Sequence, residues 1–227
     1  MIQKHPIPVS KPACFDKNAS YLVEHRRLPH WSQNGTACFL TFRTNDSIPR
    51  SILEQILGER ARWLVAHGID WRAKDWMRQV ANLSSELRSE FDQRFRDRWE
   101  LTLDDCHGEC VLKRPELSRI VERSLQHFDG KNYDLSDYVV MPNHVHVLAA
   151  FYDAASMLGQ CESWKHFTAR EINRELDRRG KFWQSDGFDH LVRSPEQFDA
   201  LRRYIAENPI KARLRESEFR HFSRKWT

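Results

Sequence analysis

Apolar positions along the chain change their period several times, and each change predicts an element. Gly35 to Thr44 is dense in β-branched and aromatic residues and closes on Asn45-Asp-Ser-Ile-Pro, which predicts a first strand. From Ser51 to about Trp99 the spacing turns helical. Ile52, Ile56, Trp63, Leu64, Val80, Leu83, Leu87, Phe91 and Phe95 recur at three- and four-residue steps, and Gly68 divides the run into two helices. Residues 101–113 read as a short helix end, a turn at Gly108 and an extended piece at Cys110-Val-Leu. Pro115 to Phe128 puts Leu117, Ile120, Val121, Leu125 and Phe128 on one helical stripe, stopped by Asp129-Gly130. Two apolar runs, Tyr138 to Met141 and Val145 to Phe151, flank Pro142-Asn143 and predict a strand pair joined by a tight turn. Ser156 to Arg179 predicts a long helix ending at Gly180, and Phe188 to Arg193 a short fourth strand. Ser194-Pro-Glu-Gln then opens a helix reaching Asn208, with Ser194 as N-cap and Pro195 in the first turn.

This order predicts an α+β fold of ferredoxin-like (βαββαβ) type: one antiparallel sheet with helices on one face, plus a helical insertion at about 51–105. Residues 1–30 hold four prolines and no period, and read as an N-terminal arm. A single domain is expected over 31–215, with 216–227 as a C-terminal tail.

Composition narrows the class. The chain of 227 residues is 40% hydrophobic with 8 Trp and 13 Phe, enough for a real core. Net charge is +4, and its distribution matters more than its size: residues 1–160 hold 21 basic and 21 acidic side chains, whereas 161–227 hold 15 basic and 11 acidic. An excess confined to the last third permits a polyanionic partner. No stretch approaches the roughly 20 apolar residues of a membrane span, and the start Met1-Ile-Gln-Lys-His-Pro lacks the apolar centre of a signal peptide. Five cysteines without framework spacing suit a reducing compartment, so a cytoplasmic location is expected. Cys106-His-Gly-Glu-Cys110 looks like half of a zinc knuckle, but no second ligand pair stands at finger spacing, and a turn carrying two thiols is the favoured reading.

The candidate chemistry lies in the second strand pair. On a strand, period-2 alternation places His144 and His146 on one face and Val145 and Val147 on the other. Two polar rings where Val or Ile would be expected favour a half metal site over a solvated face. In the helix from Ser194 to Asn208, Phe198, Leu201 and Ile205 form the apolar stripe. Tyr204 and Asn208, four residues apart, stand one above the other at its edge. Two imidazoles and an amide oxygen suit a divalent ion, Mn²⁺ or Mg²⁺, with positions left for a phosphate, and a nearby phenol could attack phosphorus. A phenol with pKa about 10 is mostly protonated at neutral pH, so a base or the metal has to assist. Taken singly, a helix-edge Tyr is a packing residue and an Asn before Pro is a helix end.

Several segments together resemble one family: Val139-Val-Met-Pro-Asn-His-Val-His146, Trp164-Lys-His-Phe-Thr-Ala-Arg-Glu-Ile-Asn173, Phe182-Trp-Gln184 and Tyr204-Ile-Ala-Glu-Asn-Pro-Ile-Lys-Ala212. They are similar to the REP-associated tyrosine transposases, which are IS200/IS605-like single-tyrosine enzymes of the HUH endonuclease superfamily. Leu28 to Arg43 and Gly108-Glu-Cys110 look like the longer members, so the resemblance covers about 28–50 and 106–215. It implies His144, His146 and Asn208 as ligands of a divalent metal. It also implies Tyr204 as a nucleophile that forms a 5′-phosphotyrosine and frees a 3′-hydroxyl on single-stranded DNA, next to a REP-like palindromic hairpin. Lys165, Arg170, Arg174, Trp183, Arg193, Arg202 and Arg203 are candidate DNA contacts, as cations for phosphates and an indole for an unpaired base. Lys211 and Arg213 are candidates for clamping the hairpin stem.

Three functions follow as expectations. The first is a metal-dependent single-strand DNA endonuclease and strand transferase, monomeric or homodimeric with the monomer favoured. The second is a domesticated hairpin-binding protein without cleavage, and the third a zinc-binding regulator built on Cys106, His107 and Cys110. The intact set of His144, His146, Tyr204 and Asn208 favours the first, because binding alone needs no nucleophile.

Overall fold

The computed structural model describes residues 10–25, 29–97, 107–185 and 187–226. The chain divides into two compact units, residues 1–45 with 110–227 and residues 46–109. In chain order the strands and α-helices are β1 (Leu22–His25), β2 (Pro29–Ser32), β3 (Ala37–Arg43), α1 (Arg50–Ala66), α2 (Trp76–Ala81), α3 (Ser85–Phe91), α4 (Pro115–Gln126), β4 (Tyr133–Val140), β5 (His144–Phe151), α5 (Met157–Glu175), β6 (Phe188–Leu191), α6 (Pro195–Lys211) and β7 (Arg220–Ser223).

In the larger unit, five strands form one antiparallel sheet in the order β6-β3-β5-β4-β7, while β1 and β2 make a separate hairpin. The four strands expected from sequence thus lie fourth, first, third, second across the sheet. β4 and β5 are almost wholly buried, because both faces of the sheet are covered. On one face Leu40, Phe42, Tyr138, Val140, Val145, Val147, Ala149 and Phe151 pack with Leu117, Val121 and Leu125 of α4 and Trp164 and Ile172 of α5. On the other face Phe39, Val139, Met141 and Leu148 pack with Phe198 and Ile205 of α6. The expected placement of helices on one face is therefore corrected: α4 and α5 share a face, and α6 takes the opposite one. Apolar side chains at both odd and even positions of β3, β4 and β5 require this, since an uncovered face would leave them in water.

Two stretches without a sequence period nevertheless carry structure. The β1–β2 hairpin begins within the expected arm and runs past its end, and Tyr21 stacks on Trp31 at 5.3 Å between centroids. Within the expected tail lies β7, which pairs with β4 and stacks Phe222 on Tyr138 at 5.3 Å.

The smaller unit is helical around Trp63, Leu64, Ile69, Val80, Phe91 and Phe95. Trp63 donates its indole N–H to Glu90 at 2.8 Å, so its buried polar edge is satisfied. Ser84 caps α3 by accepting from the Leu87 amide. Gly108, at φ 91°, lies so close to Asp46 that a Cβ would meet that residue's backbone oxygen at 2.6 Å.

Candidate active site

The turn between β4 and β5 is held by backbone bonds from Met141 to His144 and from Thr44 to Asn143, both 2.8 Å. It starts β5 at His144, so His144, His146 and Leu148 point to the α6 face while Val145 and Val147 point away. The imidazoles lie edge to face, 4.7 Å between centroids, and both are buried, at 0% and 2% exposure. A neighbour fixes each ring. Asn143 Oδ1 is 2.8 Å from His144 Nδ1, so this nitrogen carries the proton and Nε2 keeps the lone pair. Thr41 Oγ1 is 2.8 Å from His146 Nδ1; with the hydroxyl accepting, His146 Nε2 also keeps its lone pair. Phe39 stacks on His146 from the neighbouring strand at 5.3 Å.

Burial pushes both imidazoles well below the ordinary histidine range, the positive charge of Arg43 adds to it in each, and His146 contributes at His144. Both rings are therefore neutral, the form in which imidazole binds metal.

α6 supplies the remaining groups. Ser194 caps it by accepting from the Gln197 amide at 3.2 Å, and Pro195 preorganises the first turn. Phe198 and Ile205 bury its stripe, and Arg202 ties it to the sheet. The Arg202 guanidinium donates to Asp137 Oδ2 and Ser223 Oγ at 2.8 Å and to the Arg224 carbonyl at 2.7 Å. Burial raises the Asp137 carboxyl, against the opposing pull of Arg202. This anchoring sets Tyr204 Oη 3.5 Å from His146 Nε2, with the two rings 5.2 Å apart. Asn208, one turn on, is 2% exposed, and its Oδ1 is buried without a hydrogen-bond partner. Leaving an amide oxygen so costs about 1–3 kcal/mol, and a cation would satisfy it. The helix continues three residues past Asn208, with Pro209 inside it. The expected end at Asn208 is thus extended, because a proline in the last turn forfeits only one ladder bond.

Histidines 144 and 146 and Tyr204 are thus brought together, with Asn208 on the same buried stripe. The other expected contacts separate into three groups. Lys211 stays with the site: its ammonium lies 5.8 Å over the Tyr204 ring and 3.2 Å from Glu207. Lys165, Arg170 and Arg174 belong to α5, on the opposite face of the sheet. Lys165 donates to the Ser185 carbonyl at 2.6 Å, and Arg170 and Arg174 pair with Glu171. Arg193 and Arg203 are exposed on and just before α6, and Arg213 lies beyond its end at φ 53°. Two expectations are corrected. Trp183 is 4% exposed, donates to Thr168 Oγ1 at 2.8 Å and meets Phe42 edge-on, so it is a core residue and offers no face to a base. Arg202 serves the Asp137 pair described above.

Sequence reading overlooked Thr41, Asn143 and Arg43. Asn143 adjoins the His pair in the chain and could have been found there, whereas Thr41 and Arg43 become neighbours only through the register that pairs them with His146 and His144. Of the proposed zinc pair, Cys106 lies outside the described residues. Among the described residues no cluster of three or more His, Cys, Asp or Glu could hold a metal, so a cation here would need the amide.

The model of the family "Transposase IS200 like" matches residues 109–208. A solved structure of a REP-associated tyrosine transposase bound to a REP hairpin shares 14% identity, covering 84% of this chain and 74% of that one, with a TM-score of 0.42, too distant to bear on function. Among curated proteins nothing matches. No helix among the described residues is long and apolar enough to cross a membrane. The segment 109–208, which carries both histidines, Tyr204 and Asn208, is the part of this chain that is similar to the IS200-like transposase family.

Proposed function

We propose that this protein is a metal-dependent single-strand DNA endonuclease and strand transferase that uses Tyr204 as nucleophile next to palindromic hairpin DNA. The observation that carries the reading is the approach of Tyr204 Oη to within 3.5 Å of a neutral, buried imidazole in a His-Val-His strand.

The residues fit a divalent cation. His144 Nε2, His146 Nε2 and Asn208 Oδ1 would hold it, and the buried amide oxygen without a donor supports the assignment. When bound, Mg²⁺ or Mn²⁺ supplies Lewis-acid polarisation of a phosphate oxygen. The chain's own groups do the rest. Tyr204 Oη attacks phosphorus, forming a 5′-phosphotyrosine. The P–O3′ bond breaks, its electron pair goes to O3′, and the net proton passes from the phenol to the released 3′-hydroxyl. Asn143 and Thr41 hold the imidazoles in one orientation, and α6 holds the phenol over them. Exposed Arg203 and Lys211 of α6, and Arg193 just before it, suit phosphate contact, and the Lys211 ammonium lies 5.8 Å over the Tyr204 ring.

The test is incubation with labelled single-stranded DNA bearing a palindromic hairpin, in Mn²⁺ or EDTA, followed by a denaturing gel. A covalent band is expected in Mn²⁺, absent in EDTA and absent from Tyr204→Phe, which still binds the hairpin. Binding without any adduct across a panel of hairpins would replace the reading with that of a non-cleaving hairpin binder.

A further inference from the structure

Resting on that reading, we propose that Arg43 is a catalytic residue of the site, its guanidinium holding a non-bridging oxygen of the scissile phosphate while Tyr204 attacks.

The argument begins with register. β3 pairs with β5 so that Thr41 stands opposite His146 and Arg43 opposite His144. Residues directly opposite on an antiparallel pair project from the same face. Phe39, Thr41 and Arg43 therefore form one row beside the imidazoles: Phe39 stacks on His146, Thr41 bonds it, and Arg43 flanks His144. Arg43 is the last residue of β3, and its backbone is fixed where strands usually fray. Its carbonyl accepts from the Gln184 amide at 2.8 Å, and the next residue, Thr44, donates to the Asn143 carbonyl at 2.8 Å. The side chain, half-buried, leaves β3 on the face that carries the imidazoles. Its positive charge is felt at both rings.

Chemistry supplies the role. The imidazoles, amide and phenol are all uncharged, so Arg43 is the permanent charge that the row beside them carries. A phosphodiester enters with one negative charge, and its non-bridging oxygens gather more as the Tyr204 Oη–P bond forms and the P–O3′ bond breaks. A guanidinium fixed beside that point stabilises the transition state more than the ground state. Arg keeps all its protons at any working pH, so it carries no proton in the step, and its planar fork matches two phosphate oxygens. Lys165 and Arg170, the cations most prominent in the sequence motif around Trp164, cannot serve, because α5 covers the opposite face.

The experiment compares wild type, Arg43→Gln and Arg43→Lys in single-turnover cleavage of a hairpin-bearing oligonucleotide. Two substrates are used: a normal phosphodiester, and a methylphosphonate at the scissile position that lacks the charged oxygen. On the phosphodiester, Arg43→Gln is expected to cleave about 100-fold more slowly, with oligonucleotide Kd and melting temperature near wild type. Arg43→Lys, keeping charge without the fork, should fall between. On the methylphosphonate the penalty should nearly vanish, because the charge that Arg43 met is gone; a structural role would leave it unchanged. Should Arg43→Gln fold poorly, Arg43→Lys carries the same comparison between substrates. A penalty equal on both substrates, or a phosphodiester rate equal to wild type, overturns the inference and leaves the nuclease reading intact. A wild-type protein that forms no adduct overturns the nuclease reading and this role with it.

Discussion

Replacing Thr41 by Val removes one hydroxyl from the site and almost nothing else. Thr41 is 6% exposed, and its Oγ1 lies 2.8 Å from His146 Nδ1, so an isosteric methyl would leave that nitrogen facing an apolar wall. Stranding a buried hydrogen-bonding group costs about 1–3 kcal/mol of stability. A second effect concerns the proton. Without the hydroxyl, nothing holds it on Nδ1, and the tautomer with the proton on Nε2 occupies the lone pair that faces Tyr204, 3.5 Å away. Loss of such an outer partner typically weakens metal binding about 10–100-fold. The assay is adduct formation on hairpin DNA over a Mn²⁺ titration, alongside urea denaturation. Thr41→Val should shift the Mn²⁺ midpoint upward, and saturating Mn²⁺ should restore most of the rate, because Thr41 does not meet the phosphate. Thr41→Ser, which keeps the hydroxyl, should hold the wild-type midpoint. An unshifted midpoint in Thr41→Val would refute the orienting role, even with a loss of stability.

Three further outcomes follow from the packing. Trp183→Ala should cost about 3–5 kcal/mol in urea denaturation and leave the DNA affinity of the folded fraction unchanged; a selective loss of single-strand binding would return the indole to the DNA surface. Arg202→Ala should cost about 3–5 kcal/mol at neutral pH by leaving buried Asp137 without its partner, and adding Asp137→Asn should recover part of that. Burial lifts the Tyr133 phenol to about 12, although Trp164 donates to it. The folded value exceeds the unfolded one, so this stabilisation is complete below about pH 10 and is lost as pH climbs from there towards 12. Tyr152, also raised to about 12, and Tyr138, raised further, act in the same direction, so the alkaline denaturation limb should shrink but persist in Tyr133→Phe, and an unchanged limb would remove Tyr133 as one of its sources.

Much of the sheet was legible because period and punctuation agree along it. The turn at Pro142-Asn143 and the alternation after it place both histidines on one face, and Ser194-Pro195-Glu196 opens α6 where a cap and first turn require. The four-residue step from Tyr204 to Asn208 likewise reads directly as one helix turn. Less legible was everything that depends on which strand lies beside which. Thr41 and Arg43 read as ordinary strand residues until pairing sets them against His146 and His144. β7 has only four residues and no clear alternation, and its stability comes from β4 and from Phe222 on Tyr138. Trp183 and Arg202 misled for a common reason: an indole or a guanidinium has the same chemistry on a DNA surface and in a core, and only Phe42, Thr168 and Asp137 decide between them.

The division of the sheet into two covered faces has a consequence for how such a chain can change over time. Along β5, the side chains that meet α4 and α5 alternate with those that meet α6, so almost no residue serves both sides. Val145, Val147 and Ala149 can be exchanged for other apolar residues of similar volume while His144 and His146 keep their places. The reverse also holds: loss of the phenol at Tyr204 leaves the larger cluster untouched. The packing of the larger cluster and the residues proposed to carry the chemistry are therefore separable in this molecule. Descendants can drift far in one while holding the other, and a well-folded protein can outlive its own chemistry.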